Sequence, residues 1–203
     1  MHVIAGRFKG TPLCAAKSCT RPTTDRTKEA IFSRLDSWGV CEGARVLDLF
    51  AGTAALGIEA ISRGAKELVC IEANAAAAAL IAKTVKVLES QSAWSQDLSA
   101  RVNKKRAEQF VQDYSGEAFD LVFIDPPYAL ETEQVELLIE NMVKNGVVSD
   151  AADTLIVLER SARSVAPKIC AGWEIFDTRN YGETAVMFIQ TSSNIKQETV
   201  QIL

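Results

Sequence analysis

The chain has 203 residues, 48% of them hydrophobic and 24% charged, which is the composition of one globular domain and not of a disordered tail. Its longest charge-free run, Thr184 to Ile195, has 12 residues and is half polar, well short of the roughly 20 apolar residues a membrane span needs. The net charge of −4 argues against a uniformly basic nucleic-acid binder, and a single histidine, His2, argues against a His-dependent triad or a multi-His metal site, so no metal is expected.

The start of the chain lacks the long apolar core of a secretory leader. Five cysteines without a C-x-x-C pair fit reduced thiols, and a cytoplasmic location is expected. Residues 2–13 suggest a small β-hairpin turning at Lys9-Gly10. Thr23 or Thr24 caps a helix predicted over about 25–37. Residues 1–34 carry seven basic side chains (Arg7, Lys9, Lys17, Arg21, Arg26, Lys28 and Arg34) against two acidic ones, Asp25 and Glu29. That surplus on an otherwise acidic chain suggests a local contact with a polyanion. A second basic knot lies at Arg101-Val-Asn-Lys-Lys-Arg106.

From Arg45 on, β-rich runs alternate with helical stretches. Val46–Phe50 reads as a buried strand, residues 54–63 as a helix stopped by Gly64, and Glu67–Glu72 as a second strand. Asn74 is a good N-cap for an Ala-rich helix from Ala75 to about Glu89. Residues 100–105 make a third strand, 119–125 a fourth, 132–144 a helix and 154–159 a fifth strand. Trp173–Phe176 and Ala185–Gln190 flank Arg179-Asn-Tyr-Gly182, which reads as a hairpin turn. The alternation predicts an α/β, doubly wound, mostly parallel sheet, with the closing hairpin adding an antiparallel edge. The expected division is a hairpin extension over 1–22, a catalytic domain over 23–191 and a polar tail over 192–203.

Asp48-Leu-Phe-Ala51-Gly52-Thr53-Ala54-Ala-Leu-Gly57 is a strand–turn–helix whose free N–H groups face the crevice where such folds bind ligands. Glu72 stands twenty positions after Gly52 at the tip of the second strand, the offset of a carboxylate that accepts ribose hydroxyls. A dinucleotide fingerprint requires glycine where Ala54 stands, so that backbone can approach a pyrophosphate. A ligand with ribose but no phosphate fits better, and S-adenosylmethionine is such a ligand.

Asp125-Pro126-Pro127-Tyr128 directly follows an apolar strand. The two prolines force a rigid extended turn. The Asp125 carboxylate and the Pro126 carbonyl can then take both hydrogens of one exocyclic amino group. An aromatic amine is a poor nucleophile because its lone pair is shared with the ring. Two acceptors draw its nitrogen toward tetrahedral geometry and stabilise the charge that grows as it attacks a sulfonium methyl. Tyr128 offers the base a stacking face.

These residues resemble those of Rossmann-like, class I S-adenosylmethionine-dependent methyltransferases that act on amino groups of nucleic acids. The run Arg21-Pro-Thr-Thr-Asp25-Arg26-Thr-Lys28-Glu29-Ala-Ile-Phe32, with Ile4-Ala-Gly-Arg-Phe-Lys-Gly10 and Asn180-Tyr-Gly-Glu-Thr184, resembles the RsmD family. Its members methylate a guanine N2 of small-subunit (16S) ribosomal RNA. The resemblance implies a seven-stranded sheet whose C-terminal strand is antiparallel, and S-adenosylmethionine as cofactor. It implies that Asp125 and Pro126 hold the guanine amine in the turn completed by Pro127, and that Tyr128 stacks on the base. Asp48, Ala51, Gly52 and Thr53 would line the methionine end of the cofactor. Glu72, Ala73 and Asn74 would lie at its ribose. Ala107 and Glu108 would lie beside its adenine, at a strand tip where the family tends to carry Asp and this chain reads Arg106-Ala107-Glu108. Arg7, Lys9, Arg21, Thr23 and Arg26 would contact ribosomal RNA within a small-subunit particle, with Arg21 to Arg26 forming a loop over the cofactor; a monomer is expected. One rival is a DNA adenine-N6 methyltransferase, against which a 203-residue chain leaves no room for a target-recognition domain. The other is a non-catalytic RNA- or ribosome-assembly-binding protein with a vestigial pocket, suggested by Ala54 and Arg106-Ala107.

Overall fold

A computed structural model describes residues 1–14, 25–150 and 154–192. Helix α1 (Asp25–Trp38) precedes β1 (Arg45–Asp48), α2 (Ala55–Ser62), β2 (Glu67–Ile71), α3 (Ala75–Glu89) and β3 (Ser99–Asn103). Then follow α4 (Ala107–Gln112), β4 (Leu121–Ile124), α5 (Thr132–Lys144), β5 (Leu155–Ser161), β6 (Trp173–Tyr181) and β7 (Thr184–Thr191). The seven strands form one sheet in the order β3-β2-β1-β4-β5-β7-β6. Strands β1 to β5 pair in parallel, and β7 runs antiparallel to both of its neighbours.

Alternation along the strands divides the core between the two sheet faces. Val46, Leu121, Phe123 and Val157 pack with Ile31, Phe32, Ile58, Ile61 and Ile81 of α1, α2 and α3. Leu47, Val122, Ile124 and Leu158 pack with Val111, Val135, Leu138, Ile139 and Met142 of α4 and α5. Helix α5 forms because Val135, Leu138, Ile139 and Met142 recur at helical spacing, and the Gln134 side chain accepts from the Glu131 amide at 3.1 Å. Helix α3 starts where Asn74 Oδ1 accepts from the Ala76 and Ala77 amides at 2.9 and 3.0 Å.

Two expectations change in detail, and one helix is added. The closing hairpin inserts its second strand into the sheet, so β7 is buried between β5 and β6, and β6 is the edge. Its turn is only Gly182-Glu183, because Arg179 to Tyr181 pair with Val186 to Thr184. Short helix α4, which the charged sequence around 101–108 conceals, follows the third strand.

At the N-terminus the hairpin closes through one antiparallel bridge, His2 opposite Pro12. Residues 1–14 are docked on α2 and are not a free arm. Glu59, fully buried, accepts from the amides of Ile4 (2.8 Å) and Ala5 (2.9 Å), from Arg63 Nε (2.9 Å), and pairs with Lys28 Nζ (3.2 Å). Val3 and Phe8 sit in the α1–α2–α3 core. No helix among the described residues is long and apolar enough to cross a membrane.

Candidate active site

In open α/β sheets, ligands bind beyond the carboxyl ends of the strands, where the strand order reverses. Here it reverses between β1 and β4. A cleft of about 1170 Å³ opens at that end. Its wall includes the carboxyl-end residues of β1, β2, β4 and β5, the β3–α4 turn, the start of α1 and the tip of the β6–β7 hairpin.

The β1–α2 turn forms the floor. Asp48 is the last residue of β1, is 3% exposed, and accepts from the Gly57 amide through Oδ2 at 3.2 Å. Burial pushes its carboxyl up to about 7; the Gly57 hydrogen bond opposes this, and the charges of Asp125 and Glu72 add to it. Gly57 has to be glycine for this approach: a Cβ there would lie 2.5 Å from Leu68 Cδ1 and 3.2 Å from Asp48 Oδ2. Ala54 takes the left-handed conformation (φ 56°, ψ 31°) and is the one non-glycine with positive φ among the described residues. That conformation costs an L-residue about 1–2 kcal/mol, a cost that glycine would not carry.

Glu72, just past β2, bridges two turns. One carboxylate oxygen accepts from the Gly52 amide at 2.8 Å and the other from the Asn74 amide at 2.7 Å. The β1–α2 turn and the start of α3 are thereby held at a fixed separation before any ligand enters. A carboxylate oxygen has two lone-pair directions, so each still has one for a hydroxyl.

Asp125 continues β4, with Pro126 buried behind it and Pro127 exposed. The Pro127 carbonyl accepts from the Leu130 amide at 2.9 Å, closing the turn that carries Tyr128. Tyr128 is 68% exposed and lines the cleft. Arg160, 8% exposed, fastens the far side of this turn by donating to the Leu130 carbonyl at 2.8 Å.

The cleft brings together Asp48, Ala51, Gly52, Thr53, Glu72, Ala73, Ala107, Glu108, Asp125, Pro126, Pro127 and Tyr128. Asn74 stands outside it as the cap of α3 and partner of Glu72. Arg26 is on its rim, while Arg21 and Thr23 lie outside the described residues. Arg7 and Lys9 do not line it. The Arg7 amide donates to the carbonyl of Ser62, the last residue of α2, whose first residue faces the cleft about 10–12 Å away. The N-terminal charge surplus is also smaller at the surface than the residue count implies. Lys28 is buried against Glu59, and Arg34 pairs with Asp177. The second basic knot does reach the cleft through Lys105 and Arg106, which pair with Asp113 (2.6 Å) and Glu108 (3.3 Å).

The wall also holds Phe50, Leu130, Glu159, Arg160 and the Asn180–Thr184 tip, to which the sequence reading assigned no role. Glu159 and Arg160 carried a signal: two charges closing an apolar strand mark its carboxyl end, where α/β sites form. The hairpin tip is carried to the cleft by the insertion of β7, which no local pattern announces.

Residues 1–190 match a family model described as Conserved hypothetical protein 95. Ribosomal RNA small subunit methyltransferase D of Escherichia coli (strain K12) is 32% identical over 193 residues, which are 94% of this chain and 89% of that protein. Among solved structures, the Escherichia coli yhhF protein superimposes with a TM-score of 0.80 at 29% identity, covering 94% of this chain and 97% of that one. The Synechocystis magnesium protoporphyrin IX methyltransferase, solved with bound SAM, shares the fold at 12% identity with a TM-score of 0.60, over 87% of each chain. The architecture is therefore that of the Rossmann-like class I methyltransferases, and the chain belongs to the RsmD family.

Proposed function

We propose that the chain transfers a methyl group from S-adenosylmethionine to the exocyclic N2 of a guanine in small-subunit ribosomal RNA. The observation that carries this reading is one cleft holding both Glu72 with its tethered β1–α2 turn and the Asp125–Tyr128 turn. The methyl donor fits the nucleoside side of that cleft. Glu72 has lone pairs for both ribose hydroxyls, Ala73 and Asn74 shape the strand end beneath them, and Ala107 and Glu108 lie where the adenine would rest. Asp48, buried and close to the Ala51-Gly52-Thr53 turn, offers a carboxylate to the ammonium of the methionine moiety. When bound, the donor supplies an electrophilic sulfonium methyl.

The chain's own residues then act on the amine. Asp125 and the Pro126 carbonyl each accept one N2 hydrogen, which turns the nitrogen lone pair out of the base plane and stabilises its growing positive charge. Pro127 stiffens the turn, and Tyr128 stacks on the base. Asp125 is the acceptor in place for the proton lost after attack. Arg26 sits on the rim to meet a phosphate, Arg7 and Lys9 extend the RNA contact beyond the cleft, and Arg21 and Thr23 belong to the same set of RNA-binding residues. A net charge of −4 gives modest affinity for naked RNA, so we place the substrate within a small-subunit particle met by a monomer. Transfer of tritiated methyl groups to RNA and to small-subunit particles, followed by nucleoside analysis, tests the reading. N2-methylguanosine is the expected product. N6-methyladenosine, or no transfer to either substrate, overturns it.

A further inference from the structure

An N2 methyltransferase has to distinguish guanine from adenine, whose amine has the same chemistry. Guanine carries a donor, N1–H, beside its exocyclic N2, whereas adenine carries an acceptor, N1, beside its exocyclic N6. A residue that accepts a hydrogen bond next to the amine site therefore favours guanine and repels adenine.

The structure has a carboxylate in that position. Strands β4 and β5 are parallel neighbours, with Ile124 opposite Leu158 at the last paired position. The next residues are Asp125 and Glu159, side by side on strands about 4.8 Å apart. Phe123 and Val157, two residues back on each strand, both belong to the α1–α2–α3 core, whereas Ile124 and Leu158 belong to the other. Alternation thus turns Asp125 and Glu159 to the same side. Both line the cleft, and Glu159 is 4% exposed, so a hydrogen bond made there is sheltered from water. Arg160, the next residue on β5, points to the opposite side and holds the Leu130 carbonyl.

We infer that Glu159 is the base-selecting residue: its carboxylate accepts N1–H while Asp125 and the Pro126 carbonyl hold N2. This rests on the guanine-N2 reading above and names the residue that enforces it. A carboxylate has four lone-pair directions, so Glu159 can keep its contacts within the fold and still accept from the base.

The test replaces the methylated guanosine, once mapped by mass spectrometry of nuclease fragments, with 2-aminopurine riboside in RNA reconstituted into small-subunit particles. That base keeps the N2 amine and lacks N1–H. The wild-type protein is expected to use it with a kcat/KM about 10²-fold lower than for guanine. Glu159→Gln, whose amide can donate to N1, is expected to shrink the penalty to within a few fold, mostly by losing rate on guanine. Its melting temperature and S-adenosylmethionine affinity should stay near wild type. Equal use of both bases by the wild-type protein overturns the inference, as does an undiminished penalty in Glu159→Gln. Loss of cofactor binding in Glu159→Gln also overturns it and assigns the carboxylate to the cofactor. A wild-type protein that forms no N2-methylguanosine fails at the reading of the function itself, and the inference falls with it.

Discussion

Glu72 accepts the Gly52 amide at 2.8 Å, so the carboxylate assigned to the ribose also fastens the turn beneath the cofactor. Replacing it removes two things at once: an acceptor for the ligand and a brace between Gly52 and Asn74. Glu72→Ala is expected to weaken S-adenosylmethionine binding by about 1.5–3 kcal/mol, the scale of a charge-assisted hydrogen bond. It is also expected to lower the melting temperature of the cofactor-free protein. Calorimetric titration and thermal melts measure the two separately. An unchanged dissociation constant beside a lowered melting temperature would reduce Glu72 to a structural brace.

Asp125 follows β4, the strand beside β1, and lines the same cleft as the braced turn. Asp125→Ala removes one of the two acceptors proposed for the amine without touching the Glu72 brace. Methyl transfer should fall by two to three decades, about 3–4 kcal/mol of transition-state stabilisation, with cofactor affinity held within a few fold. Single-turnover methylation and titration of the same preparation give both numbers. Near-wild-type transfer would move the amine-binding site elsewhere in the cleft.

Glu59 decides whether the N-terminal segment is docked. Its buried carboxylate serves Ile4, Ala5, Lys28 and Arg63 together. Glu59→Ala should therefore cost about 3–5 kcal/mol in urea unfolding, the scale for stranding a buried charge. The double variant Glu59→Met with Lys28→Met removes both charges. It should recover only part of that loss, because the amides of Ile4 and Ala5 still lack their acceptor. Full recovery would show that the ion pair, and not the amide docking, sets the cost.

The same residues show what the sequence could and could not reveal. Lys28 counts as a surface cation by composition, yet it falls on the stripe Lys28-Ile31-Phe32-Leu35, the buried face of α1. Helical spacing carried that signal, and charge counting obscured it. The parallel strands, α5 and the Asp125–Tyr128 turn were legible because each rests on local pattern: apolar runs, recurrence at helical spacing, consecutive prolines. The insertion of β7 between β5 and β6 was not, since β6 and β7 would read the same in either order. That insertion brings the Asn180–Thr184 tip to the cleft, and the adjacency of Asp125 and Glu159 depends likewise on strand register. That part of the cleft wall is therefore a product of topology.

Asp48 gives the site a pH dependence. Burial raises its carboxyl to about 7 in the folded chain, above its ordinary unfolded value, so the folded state binds the extra proton. Stability of the cofactor-free protein should accordingly decline as pH rises from about 4 through 7, by at most about 4 kcal/mol, and level off above. Asp48→Asn should flatten that decline. Cofactor affinity should move the opposite way, because an ammonium favours the ionised carboxylate. It should strengthen between pH 5.5 and 7 in the wild type and stay level in Asp48→Asn. Melts and titrations across that range check both signs, and an affinity independent of pH in the wild type would remove Asp48 from the cofactor's ammonium.

Arg7 and Lys9 are exposed at the Ser62 end of α2, away from the cleft, with the Arg7 guanidinium near the Ser95 hydroxyl at 3.4 Å. From that position they cannot touch the target base. They can neutralise phosphates of an RNA segment that runs on past the cleft mouth, which affects affinity and not chemistry. Each phosphate contact contributes about 0.7–0.9 to the slope of log K against log salt. Arg7→Gln with Lys9→Gln should therefore flatten the salt slope of particle binding by about 1.5, raise KM and leave kcat at saturation unchanged. Arg26 sits on the cleft rim, so Arg26→Gln should alter cofactor affinity as well as the slope. If the slope is unmoved in the Arg7/Lys9 double variant and falls when Lys104 is replaced by Gln, the RNA approaches along the β3 edge, where Lys105 and Arg106 already line the cleft. That result would relocate the RNA face while leaving the roles proposed for Glu72 and Asp125 intact, because those roles concern the cofactor and the target amine and not the RNA backbone.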